Sequence, residues 1–245
     1  MQIEPIYVFA TIGVIIAGVM AFYYLDFYKT KKEISNLNSE NIKISDNVIE
    51  LDSLTLKQKI SQMIMAGGDK KDLGFTKLNV GGIFLDRQQA VEDYRSIIDW
   101  YQENSKIRLL ASTDLEGSWT PFKYDNNYPE FPNFSDIKDS QQASQIGLEH
   151  GELLQIAGFN MNFAPVAEFS DEIYGGRAFS GSKEEIASKL AAYITNLQKN
   201  VLGTCKHYPG KAMIKNLHIV SDNQEISKED IDLFKVCLDN NISAI

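Results

Sequence analysis

Cysteine is scarce in this sequence: the 245 residues include only two, Cys205 and Cys237. Two cysteines are too few for the disulfide framework of a small secreted domain. Cys205 lies in a predicted strand and Cys237 in a predicted helix, and neither has the spacing of a metal ligand. We therefore expect both to be small core residues, and we expect no metal site and no cofactor.

Basic residues are also in deficit. Lysine and arginine number 24 against 33 aspartate and glutamate residues, which gives a formal net charge of −9. Nucleic-acid-binding domains need a basic face, so this balance argues against a nucleic-acid partner. The shares of hydrophobic residues, 44%, and charged residues, 23%, are ordinary for a globular protein.

Charge is missing altogether from residues 5–25, an apolar run long enough to span a bilayer. Tyr7 at one end and Tyr23 and Tyr24 at the other suit the two membrane interfaces. The alternative is a cleaved signal peptide, which needs a basic segment before the run and a small-residue cleavage site after it. Glu4 is the one charge that precedes the run. We therefore predict a single-pass, uncleaved membrane anchor in residues 1–28.

The side of the membrane is less clear from the sequence. Lys29, Lys31 and Lys32 follow the span, and the positive-inside rule then places the C-terminal side in the cytoplasm. An anchor with an extracytoplasmic body stays open as the alternative. Residues 29–47 are polar and predict a linker, and the globular domain is predicted to cover residues 48–245.

Apolar runs alternate with helical patterns through the globular part. Strands are predicted at residues 63–66, 81–85, 107–113, 160–165 and 201–207, with the start of a sixth at 242–245. Helices are predicted at residues 54–63, 88–103, 140–157, 183–200 and 227–240. Strands that alternate with helices of this length indicate βα units and a parallel sheet, so the fold class is α/β.

The strand at 201–207 ends on the most distinctive residues of the chain. Lys206 and His207 stand where this strand gives way to a loop, and Pro209-Gly210 then breaks the chain. In parallel α/β folds, ligands bind at that edge of the sheet. His218 lies further along the same loop. A solvated turn without function is the alternative interpretation of the lysine–histidine pair.

The segment Lys206-His207-Tyr208-Pro209-Gly210 resembles the Lys-His-Phe-Pro-Gly signature of family 3 glycoside hydrolases, in particular their β-N-acetylhexosaminidase (NagZ-like) branch. Further segments resemble motifs of that family in the same order, and they begin at Leu54, Thr113, Asn162 and Gly176. The resemblance implies a (β/α)₈ TIM-barrel fold, of which five strands and the start of a sixth are predicted here, so that we expect a barrel truncated after about six strands. It also implies a carbohydrate substrate and an exo-β-N-acetylglucosaminidase acting on peptidoglycan-type or chitin-type sugars.

The resemblance implies roles for six residues. It assigns binding of the sugar hydroxyls to four of them: Asp114, Arg177, Lys206 and His207. His218 matches the catalytic acid/base, and Asn216 stands where the family has the aspartate that orients this histidine. Without the resemblance, Asp114 is equally suited to capping the segment that follows it, and Arg177 to a surface salt bridge.

The sequence departs from the family pattern in several places. The two basic positions after Gly117 are absent, although Lys123 is near, and Glu168 replaces an aspartate. No residue matches the nucleophilic aspartate of the family. Three hypotheses therefore stand: a membrane-anchored glycosidase, a membrane-anchored sugar-binding protein without catalysis, and a remnant without function.

Overall fold

The computed structural model describes residues 20, 23–25, 42–45, 48–86, 88, 90–169, 171–173, 175–210 and 226–245. Five short strands within these residues form one parallel sheet in the order of the chain. They are β3 (Met65–Gly67), β4 (Gly82–Phe84), β5 (Leu110–Thr113), β6 (Met161–Asn162) and β7 (Leu202–Gly203). This arrangement confirms the predicted α/β class with a parallel sheet.

The helices alternate with these strands along the chain, and most of them begin at a recognisable cap. They are α1 (Leu56–Ser61), α2 (Leu73–Leu78), α3 (Val91–Asn104), α4 (Ser140–Ile156), α5 (Lys183–Leu197) and α6 (Lys228–Asp239). Thr55, Ser182 and Ser227 each begin a helix with a capping box, in which the side chain three residues on bonds back to the cap. All but α2 were predicted from the sequence.

A sixth strand begins at the C-terminal side of the sheet. Ala244 pairs in parallel with Thr204, and the Ala244 carbonyl accepts a 3.1 Å hydrogen bond from the Cys205 amide. The predicted strand start at 242–245 is therefore confirmed. The five strands and this bridge follow one another like consecutive strands of a (β/α)₈ barrel, and β3 lies at the other edge of the described sheet.

The hydrophobic core lies between the sheet and its helices. Tyr94 and Tyr101 of α3 and Leu190 of α5 are fully buried in it. Helices α4 and α5 pack closely, and Gly147 makes the contact possible because a Cβ there would lie 2.5 Å from the Tyr193 carbonyl oxygen. Such close packing of two helices gives the outer layer a fixed geometry against the sheet.

The two cysteines differ from expectation. Both are fully buried, as predicted, but they form a disulfide, Cys205–Cys237, across 32 positions of the chain. Cys205 follows β7 and Cys237 lies on the buried face of α6, and the packing of this helix on the strand brings them together. Their distance along the chain gave no sign of that contact. The expectation of two unbonded core cysteines was wrong.

Part of the predicted linker carries regular structure. Strands β1 (Ile44–Ser45) and β2 (Val48–Ile49) form an antiparallel pair, and Ile42 is buried with Leu54 and Ile107. Residues 42–45 of the predicted linker at 29–47 are therefore paired or packed, with Ile42 in a small apolar cluster separate from the main core. Among the described residues, no helix is long and apolar enough to cross a membrane. Most of the predicted anchor, residues 1–28, lies outside the described residues.

Candidate active site

Two carboxylates follow directly after β5, and Lys206, which follows β7, binds both. Lys206 Nζ donates a 2.6 Å hydrogen bond to Asp114 Oδ1 and lies 2.5 Å from Glu116 Oε1. The Asp114 side chain is 31% exposed, whereas that of Glu116 is fully buried. Lys206 therefore binds one carboxylate that is partly exposed to solvent, Asp114, and one that is buried, Glu116.

Arg177 completes this cluster from the segment that follows β6. Its Nε and Nη2 donate to the two oxygens of Glu116, the second over 2.8 Å. Because the Arg177 side chain is only 11% exposed, the alternative of a surface salt bridge is wrong. We call the four residues Asp114, Glu116, Arg177 and Lys206 the charged cluster.

The pKa of Glu116 is lowered despite its burial. Burial alone would raise the pKa of this carboxyl, but the Arg177 hydrogen bonds and the positive charge of Lys206 outweigh it. Glu116 is therefore an anion that two cations hold in place. Both of its oxygens are occupied, so it serves as a fixed acceptor that orients Arg177 and Lys206.

Val166 explains how distant segments meet here. It pairs in parallel with Ala178 on one side and with Lys206 on the other. The Ala167 amide donates a 2.7 Å hydrogen bond to the Lys206 carbonyl, and the Lys206 amide donates to the Pro165 carbonyl over 3.1 Å. These short ladders place Arg177, next to Ala178, and Lys206 at the same edge of the sheet.

His207 is held by a different carboxylate. Its Nδ1 lies 3.1 Å from Oε1 of Glu168, and its backbone amide donates to the same oxygen over 3.4 Å. Glu168 is 3% exposed and His207 is partly buried. Glu168 therefore fixes the orientation of the His207 ring at the sheet edge.

Asn162, the last residue of β6, binds the backbone between the two carboxylates. Its Oδ1 accepts from the Leu115 amide over 2.9 Å, and its Nδ2 donates to the Leu115 carbonyl over 3.0 Å. Leu115 is the residue between Asp114 and Glu116. This closed pair of hydrogen bonds fixes the backbone that carries both carboxylates. The sequence analysis assigned Asn162 no role, although an amide at the end of a buried strand is itself a signal of a specific hydrogen-bond partner.

A known family matches the part of the sequence that carries this site. The profile described as the glycosyl hydrolase family 3 N terminal domain matches residues 55–245, most of the chain. The chain belongs to this family.

Individual relatives share only low sequence identity with this chain. A curated protein of Mycobacterium tuberculosis, β-hexosaminidase LpqI, is 24% identical over 170 residues, which are 64% of this chain and 44% of that protein. This chain therefore spans less than half the length of that relative. Among solved structures, β-N-acetylhexosaminidase from Beutenbergia cavernae is 21% identical with a TM-score of 0.66, over 78% of this chain and 66% of that one. A family 3 β-N-acetylglucosaminidase from a Paenibacillus species is 24% identical with a TM-score of 0.67, over 77% and 41%. The structural likeness shows the shared fold.

Beside the charged cluster of this family 3 domain lies a cavity of about 720 Å³. The segment 118–131 forms most of its wall, and Asp86 contributes from the loop after β4. Trp119 belongs to both places, because it lines the cavity while the guanidinium carbon of Arg177 lies 5.3 Å from its ring centroid. This is the segment where the sequence departs from the family pattern.

The structure brings three of the predicted site residues together: Lys206 binds Asp114 and Glu116, and Glu116 in turn binds Arg177. His207 lies at the same sheet edge with Glu168 as its partner. Two predicted residues, Asn216 and His218, fall in 211–225, outside the described residues. The assigned roles in sugar binding and catalysis stay predictions.

Proposed function

We propose that this chain is part of a membrane-anchored glycosidase that removes terminal N-acetylglucosamine from peptidoglycan-type or chitin-type sugars. The observation that carries the proposal is the charged cluster, because it holds a buried anion and two cations at the sheet edge where ligands bind in this fold class. The names of the relatives, β-hexosaminidase and β-N-acetylhexosaminidase, support the same substrate class.

The cluster has the composition of a polar-ligand site. Asp114, the most exposed member, is positioned to accept hydrogen bonds from two sugar hydroxyls on its free lone pairs. Lys206 and Arg177 retain further N–H donors after binding the carboxylates. Because Glu116 already balances part of their charge, a neutral sugar can bind without leaving a buried cation uncompensated.

Catalysis requires groups beyond this cluster. Retaining glycosidases use a nucleophilic carboxylate and a separate acid/base. Glu116 and Glu168, two buried carboxylates near the site, are each held by cations or by His207, so we assign neither as the nucleophile. We propose His218 as the acid/base, with Asn216 beside it where an aspartate would stabilise the charged imidazole more strongly.

A second candidate is a sugar-binding protein without catalysis. Glu116 and Glu168 are both bound by other side chains, which favours this second candidate. The amide of Asn216, in place of a carboxylate, favours it as well. In that case the same charged cluster would bind N-acetylglucosamine without hydrolysing its linkage.

Titration of the full-length chain with N-acetylglucosamine, together with release of nitrophenol from its aryl β-glycoside, distinguishes these functions. We expect Asp114→Ala and Arg177→Ala to weaken sugar binding by about 1–3 kcal/mol, because each leaves a buried polar partner unpaired. Binding with hydrolysis supports the glycosidase, and binding alone supports the second candidate. Equal affinity in the wild type and both variants would show that the cluster is structural.

The disulfide supports a proposal for the side of the membrane on which the body lies. We propose an N-terminal anchor in the membrane and a body on its extracytoplasmic side, because disulfides form and persist in oxidising compartments. The lysines after the apolar run favour the opposite side by the positive-inside rule. Protease accessibility of the body in intact cells, compared with lysed cells, decides between them. Complete protection in intact cells would contradict the proposal.

A further inference from the structure

The cavity beside the charged cluster is attached to it by a tight turn. The Glu116 amide donates to the Trp119 carbonyl over 2.8 Å, and the Trp119 amide donates back over 3.3 Å. Gly117 in this turn has φ +65°, and a Cβ there would lie 2.3 Å from the Pro132 carbonyl oxygen. The backbone that holds Glu116 in the cluster therefore also fixes the position of Trp119 at the cavity wall.

Exposed aromatic residues and an excess of acidic residues line the cavity. Trp119 and Tyr124, which line the cavity, are 45% and 51% exposed, so aromatic surface of both residues is accessible to a ligand. Three carboxylates line the same cavity, from Asp86, Asp125 and Glu130, against the single ammonium group of Lys123. Its volume lies in the range of about 300–1,000 Å³ that is typical of small-molecule sites.

This lining suits a sugar ring that carries no negative charge. A pyranose presents a face of C–H groups that packs on an aromatic ring, and its hydroxyls donate to carboxylates. A carboxylate on the ligand would instead meet an excess of like charge in a partly enclosed space, where repulsion is stronger than in bulk water. Selectivity of this kind arises from rejecting the wrong ligand as much as from binding the right one.

We propose that this cavity binds the sugar adjacent to the terminal N-acetylglucosamine, and that it selects neutral N-acetylglucosamine over N-acetylmuramic acid, whose lactyl group carries a carboxylate. The proposal rests on the proposed function, since the terminal sugar must first occupy the charged cluster. It narrows the substrate class from the two types above to chitin-type oligosaccharides.

Calorimetric titration of the full-length chain with three ligands tests this selectivity. They are N-acetylglucosamine, its β-1,4-linked dimer, and the disaccharide of N-acetylglucosamine with N-acetylmuramic acid. We expect the dimer to bind at least about tenfold tighter than the monosaccharide, equivalent to about 1.4 kcal/mol. The muramic disaccharide should show no such gain. The preference between the two disaccharides should also diminish at high salt, because the discrimination is electrostatic.

Substitutions of the residues that line the cavity distinguish the contribution of ring packing to affinity from that of charge. Tyr124→Ala should reduce the gain of the dimer over the monosaccharide. The double variant Asp86→Asn with Glu130→Gln should raise affinity for the muramic disaccharide, whereas Lys123→Gln, the matched change of opposite sign, should lower it. The monosaccharide is measured in every variant as the test of a folded charged cluster.

Each possible result has a defined meaning. Equal affinities of the monosaccharide and the dimer, or of the two disaccharides, would overturn the cavity proposal and leave the proposed function intact. Absence of monosaccharide binding in the wild type would overturn the proposed function and this proposal with it.

Discussion

Arg177 and Glu116 form a two-point ion pair at the sheet edge, with the Glu116 side chain fully buried and that of Arg177 11% exposed. Lys206 adds a second cation to the same carboxylate. Removing the buried anion from between the two cations is costly, because each cation would lose its partner. These contacts on both oxygens are the reason why we do not propose Glu116 as the nucleophile.

Glu116→Ala should destabilise the domain strongly. Removing one partner of a buried ion pair typically costs about 3–5 kcal/mol, because the remaining charge is left uncompensated. Urea denaturation of the purified chain measures the loss of free energy of unfolding. The control is Glu152→Ala on the exposed face of α4, for which we expect a change within about 0.5 kcal/mol. Similar effects for the two variants would show that the cluster contributes nothing to stability.

Asn162→Ala should weaken sugar binding, and Asn160→Ala should not. Both asparagines lie at β6 and bridge the backbone of the neighbouring chain segment through a pair of hydrogen bonds. Asn162 binds the backbone of Leu115, between the two carboxylates. Asn160 binds the backbone of Leu109, just before β5, and of Ala111, within β5. Each variant should lose about 1–3 kcal/mol of stability, since backbone groups are left unpaired.

Only the Asn162 variant should also lose affinity for N-acetylglucosamine, because it alone releases the backbone of Asp114 and Glu116. Titration beside urea denaturation separates the two effects. An equal loss of affinity in both variants would mean that Asn162 acts only through stability.

The fold was largely predictable because its signals are local. The apolar runs that became β4 and β5 are bounded by polar or turn residues, and the helices between them carry amphipathic patterns and caps. Helix α2 (Leu73–Leu78) was missed, since it has only six residues and too few turns for a periodic pattern. The short pair β1–β2 was missed because polar residues surround its apolar ones.

The site was predictable only in part. Asp114, Arg177 and Lys206 could be assigned from motifs, and strand ends of a parallel sheet lie at one edge. The contact between Glu116 and Arg177 depends on how Val166 pairs with Ala178 and Lys206, and sequence alone does not give that register. The same is true of the Cys205–Cys237 bond, which depends on the placement of α6 against β7.

Reduction of the Cys205–Cys237 disulfide should lower stability. The bond closes a segment of 32 positions, and in the chain-entropy account a loop of this length corresponds to roughly 3–4 kcal/mol. Urea denaturation with and without a strong reductant measures the difference. The double variant Cys205→Ala with Cys237→Ala is the control, because it should be insensitive to reductant. An equal response of both proteins to reductant would contradict a disulfide contribution.

The segment that the disulfide closes includes residues 211–225, where Asn216 and His218 lie in the sequence. The bond therefore limits how far the two ends of this segment can separate. If His218 serves as the acid/base, reduction should lower hydrolysis more than sugar binding by Asp114 and Arg177, and both are measurable on the same sample.

His150 should make stability depend on pH between about 6.5 and about 3. The ring is fully buried among aromatic side chains, with Nδ1 2.9 Å from the Tyr193 hydroxyl oxygen. Burial lowers the pKa of His150 from 6.5 to about 3. In this window the unfolded chain binds a proton that the folded chain does not. Stability is therefore highest above pH 6.5 and falls as the pH drops, by up to about 1.4 kcal/mol per pH unit.

His150→Gln should remove this component of the pH dependence. Urea denaturation at pH 7.5, 6.5 and 5.5 measures it. Glu116 adds little pH dependence from pH 5.5 upward, because its pKa is lowered in the folded chain and a glutamate pKa of about 4.3 in the unfolded chain also leaves it largely ionised there. Tyr193→Phe is the matched control, since it removes the hydroxyl partner but keeps the buried imidazole and hence the slope. If His150→Gln retained the wild-type slope while Tyr193→Phe lost it, the titrating group would be linked to Tyr193, and the assignment to His150 would be wrong.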